Sequence, residues 1–186
     1  MRKLIVMGIT LCLPLLAGAD ETQQRTADSR AVIKAFFGEL KGELEGAMKS
    51  GGPVNAIAVC NQKAPGIAKQ HSAAKGWGVG RTSLKIRNPA NTPDAWEIHV
   101  LKRFEERKAA GEKPDQLEHA EIVTEGGKRE FRYMKAIPTA EVCTKCHGAT
   151  VPAEVEAKLQ ALYPTDQARG YQPGDLRGAF TIRQPM

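Results

Sequence analysis

The chain has 186 residues, 41% hydrophobic and 26% charged, the balance of one ordinary globular domain. Its 27 Lys and Arg against 21 Asp and Glu give +6, spread along the chain with no basic stripe interleaved with aromatics. This excludes a multi-span membrane protein, a collagen and a wholly disordered tail, and gives nucleic-acid binding no footing. Met1-Arg2-Lys3, an apolar run from Leu4 to Leu16 and Ala17-Gly18-Ala19 form a secretory leader with an Ala-x-Ala cleavage site. The run is well short of the ~20 apolar residues that span a bilayer. Cleavage after Ala19 predicts a periplasmic protein with no stable membrane insertion. It divides the chain into a leader, 1–19, and a single domain, 20–186. Removing nineteen residues from 186 leaves 167, and losing Arg2 and Lys3 lowers the net charge from +6 to +4. Cys12 leaves too, so an exported protein keeps three cysteines, Cys60, Cys143 and Cys146.

After a polar start, an amphipathic helix is expected from Asp28 or Ser29, with Ile33, Phe36, Leu40, Leu44 and Met48 on one face and a stop at Gly51-Gly52. Pro53 suits the first turn of a second helix carrying Ala56, Ile57, Cys60 and Ala64, which Pro65 ends or kinks. Gly76 to Pro89 reads as a loop leading into a strand over 82–86. Thr92 is the expected cap of a helix with Trp96, Leu101 and Phe104 on its apolar face, closed by Gly111. Residues 121–124 and 130–137 form a hairpin across Gly126-Gly127. Thr139 is expected to cap a short helix ending at Gly148, Pro152 to start another, and 178–182 to form a last strand. Helices first and hairpin-linked strands later give an α+β fold with an antiparallel sheet flanked by helices.

The chemistry lies in Cys143-Thr144-Lys145-Cys146-His147, a C-x-x-C-H sequence. On a helix, residues three and four apart share a face. Two thiols can then reach the two vinyl groups of one porphyrin, with the following imidazole aimed at its iron. One such motif implies one covalently attached haem c. A thioredoxin-like pair would need a preceding strand in a βαβ unit, and structural zinc would need four ligands. The axial position opposite His147 has candidates in Cys60, Met48, Met134, His71, His99 and His119. Of these, His99 and His119 lie in charged, exposed stretches, and His71 reads as a solvated residue at a helix end. Cys60 is unpaired on a face with small neighbours, Ala56 and Ala64, where a flat porphyrin can approach. The residues alone leave three readings open: an axial ligand, a buried inert thiol, or an intermolecular disulfide.

Four blocks carry a resemblance: Asn55-Ala56-Ile57-Ala58-Val59-Cys60 with Ala64-Pro65-Gly66; Gly80-Arg81-Thr82-Ser83 with Arg87-Asn88-Pro89-Ala90-Asn91-Thr92-Pro93; Cys143-x-x-Cys146-His147-Gly148; and Gly174-Asp175-Leu176-Arg177-Gly178. The chain resembles a bacterial family of PAS-like domains with a single c-type haem, often fused to signalling modules. The resemblance implies a PAS-like fold with His147 and Cys60 as axial ligands, in a free-standing version. A thiolate favours ferric iron and a low potential. Arg81 and Arg87 are candidate partners of the haem carboxylates, and Trp77 and Trp96 candidate neighbours of the macrocycle.

The expected function is a periplasmic low-potential one-electron carrier. The alternative is a redox- or gas-responsive sensor with a displaceable Cys60, and an enzymatic role is the weakest of the three. The expected partners are a redox protein and, as an assembly, a second copy of the chain.

Overall fold

The computed structural model describes residues 15–186, with side chains from residue 20 onward. Most of the expected leader thus lies outside the described residues. No helix among them is long and apolar enough to cross a membrane.

Helix α1 (Leu15–Lys75) is jointed at Gly51 and Gly52. It starts well before the expected cap. Ser29 is a buried helical residue whose Oγ accepts a 2.9 Å hydrogen bond from Gln184 Nε2. Gln184 also donates to the Arg25 carbonyl at 3.0 Å and accepts from the Arg25 guanidinium at 3.1 Å. The end of the chain therefore holds the early turns that local signals alone would leave frayed. At the joint Gly52 takes φ 66°, ψ −163°, a region open essentially to glycine. The Asn55 side chain spans it, donating to the Ala47 carbonyl at 3.1 Å and to Ser50 Oγ at 3.0 Å. Pro53 lies just past the joint, as expected, but Pro65 does not end the helix. Burial of Ile67 against Phe36 and Val79 carries it on to Lys75, against a proline cost of about 3 kcal/mol.

Strand β1 (Gly78–Thr82) comes four residues earlier than expected. Val79 is its buried anchor, and Ser83 Oγ stops it by donating to the Arg177 carbonyl at 2.8 Å and accepting from the Lys85 N–H at 3.2 Å. Helix α2 (Ala95–Ala109) is capped by Asp94, not Thr92. Asp94 Oδ1 accepts from the Glu97 N–H at 2.8 Å while Glu97 Oε2 accepts from the Asp94 N–H at 3.0 Å, a complete capping box. Thr92 instead closes a preceding 3-10 turn over Pro89–Asn91. The hairpin of β2 (Glu118–Glu125) and β3 (Lys128–Pro138) turns at Gly126-Gly127 as expected. Helices α3 (Glu141–His147) and α4 (Ala153–Leu162) and strand β4 (Leu176–Pro185) complete the chain. Ala140, not Thr139, occupies the α3 cap, because the Thr139 backbone is already bonded to Gly174 and Asp175.

The fold is α+β, with a four-stranded sheet in the order β1-β4-β3-β2, each strand antiparallel to its neighbours. Alternation along the strands buries both faces. Val79, Phe131, Tyr133, Phe180 and Ile182 meet Val32, Ile33 and Phe36 of α1. Met134, Ala136 and Ala179 meet Val100, Leu101 and Phe104 of α2. A third cluster packs Ile57, beyond the joint of α1, against Val155 and Leu159 of α4 and against Tyr163, with Cys146 at its margin. This cluster brings the second half of α1 to α3.

Candidate functional site

Cys143, Cys146 and His147 all lie on α3, as the motif predicts. All three described cysteines are free thiols and half-buried. The imidazole is fixed by the loop after α4. His147 Nδ1 is 2.9 Å from the Ala168 carbonyl. A carbonyl only accepts, so Nδ1 carries the proton and Nε2 presents its lone pair. The Tyr171 N–H donates to the His147 carbonyl at 2.9 Å, and the Tyr171 ring stands edge-on to the imidazole at 6.2 Å. Burial, reinforced by the charges of Arg177 and Arg87, pushes the His147 pKa down to about 2, so the ring is neutral at ordinary pH.

Asp166 organises that loop. Its carboxylate, 4% exposed, pairs with Arg87 at 3.0 Å and Arg169 at 2.8 Å and accepts from the Ala168 N–H at 2.9 Å. Burial alone would raise this carboxyl. The Arg87 hydrogen bond, the Ala168 N–H and the two guanidinium charges outweigh it and hold it below the usual range. Arg87 also donates to the Cys146 carbonyl at 2.6 Å and lies 3.4 Å from His147 Nε2. It thus braces the end of α3.

Cys60 faces this region from α1. Burial pushes its thiol up, while the charges of Arg81 and Arg87 pull the other way. Cys60 in turn acts electrostatically on Cys146. Arg81 is opposite Phe180 in the β1–β4 register, so its side chain leaves the sheet toward α1. Arg81 lines a cleft of about 440 Å³ with Ala64, Pro65 and Ala68, the turns of α1 that follow Cys60. The sequence-predicted residues Cys60, Arg81, Arg87, Cys146 and His147 therefore converge, with Cys143 on the same short helix.

Other candidates are engaged elsewhere. Met134 is buried in the α2 face of the sheet. His71 lies about one turn before the end of α1, as expected, but is only partly exposed: its Nε2 is 3.0 Å from Glu39 and its ring packs on Phe36 at 5.6 Å. His119 is only partly exposed, paired with Glu121 at 3.3 Å and beside Trp96, whereas His99 is exposed as expected. Trp96 stacks under Arg132 at 4.3 Å and donates to Glu121, and Trp77 packs against the α1 core. Among the described residues no three His, Cys, Asp or Glu side chains are placed to hold a metal ion.

Sequence reasoning passed over Arg177, Asp166 and the Ala168 carbonyl. Arg177 lies in the Gly174–Gly178 segment, and only the fold brings its Nε within 3.4 Å of His147 Nε2. Asp166 and Ala168 lie in a turn-rich stretch without a motif.

No curated protein matches the chain. Among solved structures it is similar to the crystal structure of the cyanobacterial heme-protein Tll0287, with 26% identity and a TM-score of 0.62 over 86% of this chain and 96% of that one. The Tll0287-like family model matches residues 15–185, nearly the whole described chain. The chain belongs to the Tll0287-like family.

Proposed function

We propose that this chain is an exported, periplasmic c-type cytochrome with one haem attached through Cys143 and Cys146, His147 and Cys60 as axial ligands, and a role as a low-potential one-electron carrier. The observation that carries the reading is α3 itself: two free thiols and a neutral imidazole on one short helix, with Nδ1 tied to the Ala168 carbonyl and Nε2 left as the donor. A carbonyl that accepts a hydrogen bond from the far ring nitrogen is what orients a ligating histidine. The haem-protein neighbour and the family match support it. A PAS-like fold belongs to the same reading, supported by the fully antiparallel sheet flanked by helices.

The residues present fit the group. The donor set is right in kind, and unpaired guanidinium charge at the site suits a cofactor that carries carboxylates. Bound there, haem supplies a one-electron iron couple whose potential thiolate ligation lowers. The chain does the rest. Asp166 and Arg87 hold the α3 end, the Ala168 carbonyl keeps the Nδ1 proton in place, and Ala64, one turn beyond Cys60, lines the cleft that Arg81 enters.

The test is to express the chain with a haem-attachment system, denature it and stain for haem. Stain that stays with the wild-type chain and leaves the Cys143→Ala/Cys146→Ala variant supports the reading. A wild type that releases haem on denaturation, or binds none, contradicts it. A redox- or gas-responsive module is the second reading. The joint at Gly51–Gly52 favours it, because it breaks α1 two turns ahead of Cys60, while Ile67 further on still packs on the sheet. Carbon monoxide binding by the reduced protein would select this reading, and refusal would select the carrier.

A further inference from the structure

The site holds more guanidinium than carboxylate. Arg87 and Arg177 both lie 3.4 Å from His147 Nε2, and Arg81 leaves β1 on the α1 side of the sheet, toward Cys60. Asp166 is the carboxylate among them, and Arg87 and Arg169 already share it. Arg87 is fully engaged, by Asp166 and by the carbonyls of Cys146 and Ala168. The other two differ. Arg81 is half-buried, is aimed at the α1 side of the sheet, and its side chain has neither a hydrogen bond nor an ion pair among the described residues. Arg177 is half-buried and its direct contacts are all neutral: Ser83 Oγ at 3.1 Å, the Lys85 carbonyl at 3.3 Å, His147 Nε2 at 3.4 Å and the Tyr171 ring at 5.4 Å; the Asp166 charge reaches it without a hydrogen bond or ion pair. A cation taken from water without an anion is costly. A metal on His147 Nε2 would also remove one acceptor from Arg177, while Arg87 would keep its carboxylate.

We propose that Arg81 and Arg177 hold the two haem carboxylates, one guanidinium each, and that Arg87 is a brace of α3 that binds neither. The inference rests on the haem reading of α3. Two unpaired guanidiniums match the two carboxylates on the porphyrin edge away from the vinyl groups. Arginine suits that task through its planar fork and permanent charge.

The experiment reads haem content first, then the reduction midpoint between about pH 5 and about pH 8, the range into which burial raises a haem carboxylate that has lost its guanidinium. The wild type holds a flat midpoint. Arg81→Gln and Arg177→Gln each acquire a pH-dependent midpoint, Arg81→Lys and Arg177→Lys restore a flat one, and Arg103→Gln on exposed α2 changes nothing. Loaded glutamine variants with a wild-type flat midpoint overturn this inference and leave the haem reading standing. A wild type without haem overturns both. Where a glutamine variant does not accumulate, redox-difference infrared spectra of the wild type decide. Carboxylate bands that hold across the same pH range support the clamp, and bands that titrate within it refute it.

Discussion

Replacing Asp166 tests whether one buried carboxylate holds the site together. Asp166→Ala leaves Arg87, whose side chain is 12% exposed, without its anion, and removes the acceptor of the Ala168 N–H. Arg169 is less affected because Glu156 also pairs with it at 2.8 Å. Breaking a buried pair from one side costs about 3–5 kcal/mol. For a chain of this size each kcal/mol is worth about 2–4 °C, so the melting temperature should fall by about 10 °C. Asp166→Asn keeps an oxygen for Ala168 but loses the charge, and should cost about 2 kcal/mol. Urea titration followed by circular dichroism measures both. The folded carboxyl is depressed, so its contribution is complete above the unfolded value of about 3.9 and is lost as pH falls through the lower folded value. The gap between wild type and Asp166→Asn should therefore be constant from about pH 5 to about pH 8 and close below about pH 4. A loss under about 1 kcal/mol for Asp166→Ala would refute the view that this carboxylate organises the loop.

Three further substitutions probe the frame. Glu97→Ala removes both half of the α2 capping box and a buried partner of Arg132 at 3.2 Å, and should lower stability by about 3–5 kcal/mol in the same titration. Gly178→Ala places a Cβ against the Thr82 carbonyl where β4 passes β1, which should cost about 2–3 kcal/mol, and a neutral result would mean the strands yield there. Gly52→Ala forces a side chain into the glycine-only region of the α1 joint, and thermal melting should show a loss of about 1–3 kcal/mol.

The legible parts of the sequence were those with strong local chemistry. The hairpin at Gly126-Gly127, the apolar stripe of α2 and the C-x-x-C-H helix depend on residues within a few positions of each other, and all three lie where the spacing puts them. The misplaced boundaries each yielded to a distant partner. Ser29 looks like a cap until Gln184 reaches it across the fold. Pro65 looks like a stop until Ile67 is buried on the sheet. Thr92 and Asp94 are both good caps, and the Glu97 reciprocal bond decides for Asp94. At the site, Cys60 stood out as the thiol outside the C-x-x-C-H sequence, whereas Asp166 and Ala168 act through a loop conformation that composition does not encode.

Low-temperature electron paramagnetic resonance of the haem-loaded protein beside Cys60→Ala tests the central assignment most directly. The account predicts a low-spin ferric signal with thiolate character in the wild type that is lost in the variant. Identical spectra from the two proteins would contradict it and would remove Cys60 from the iron.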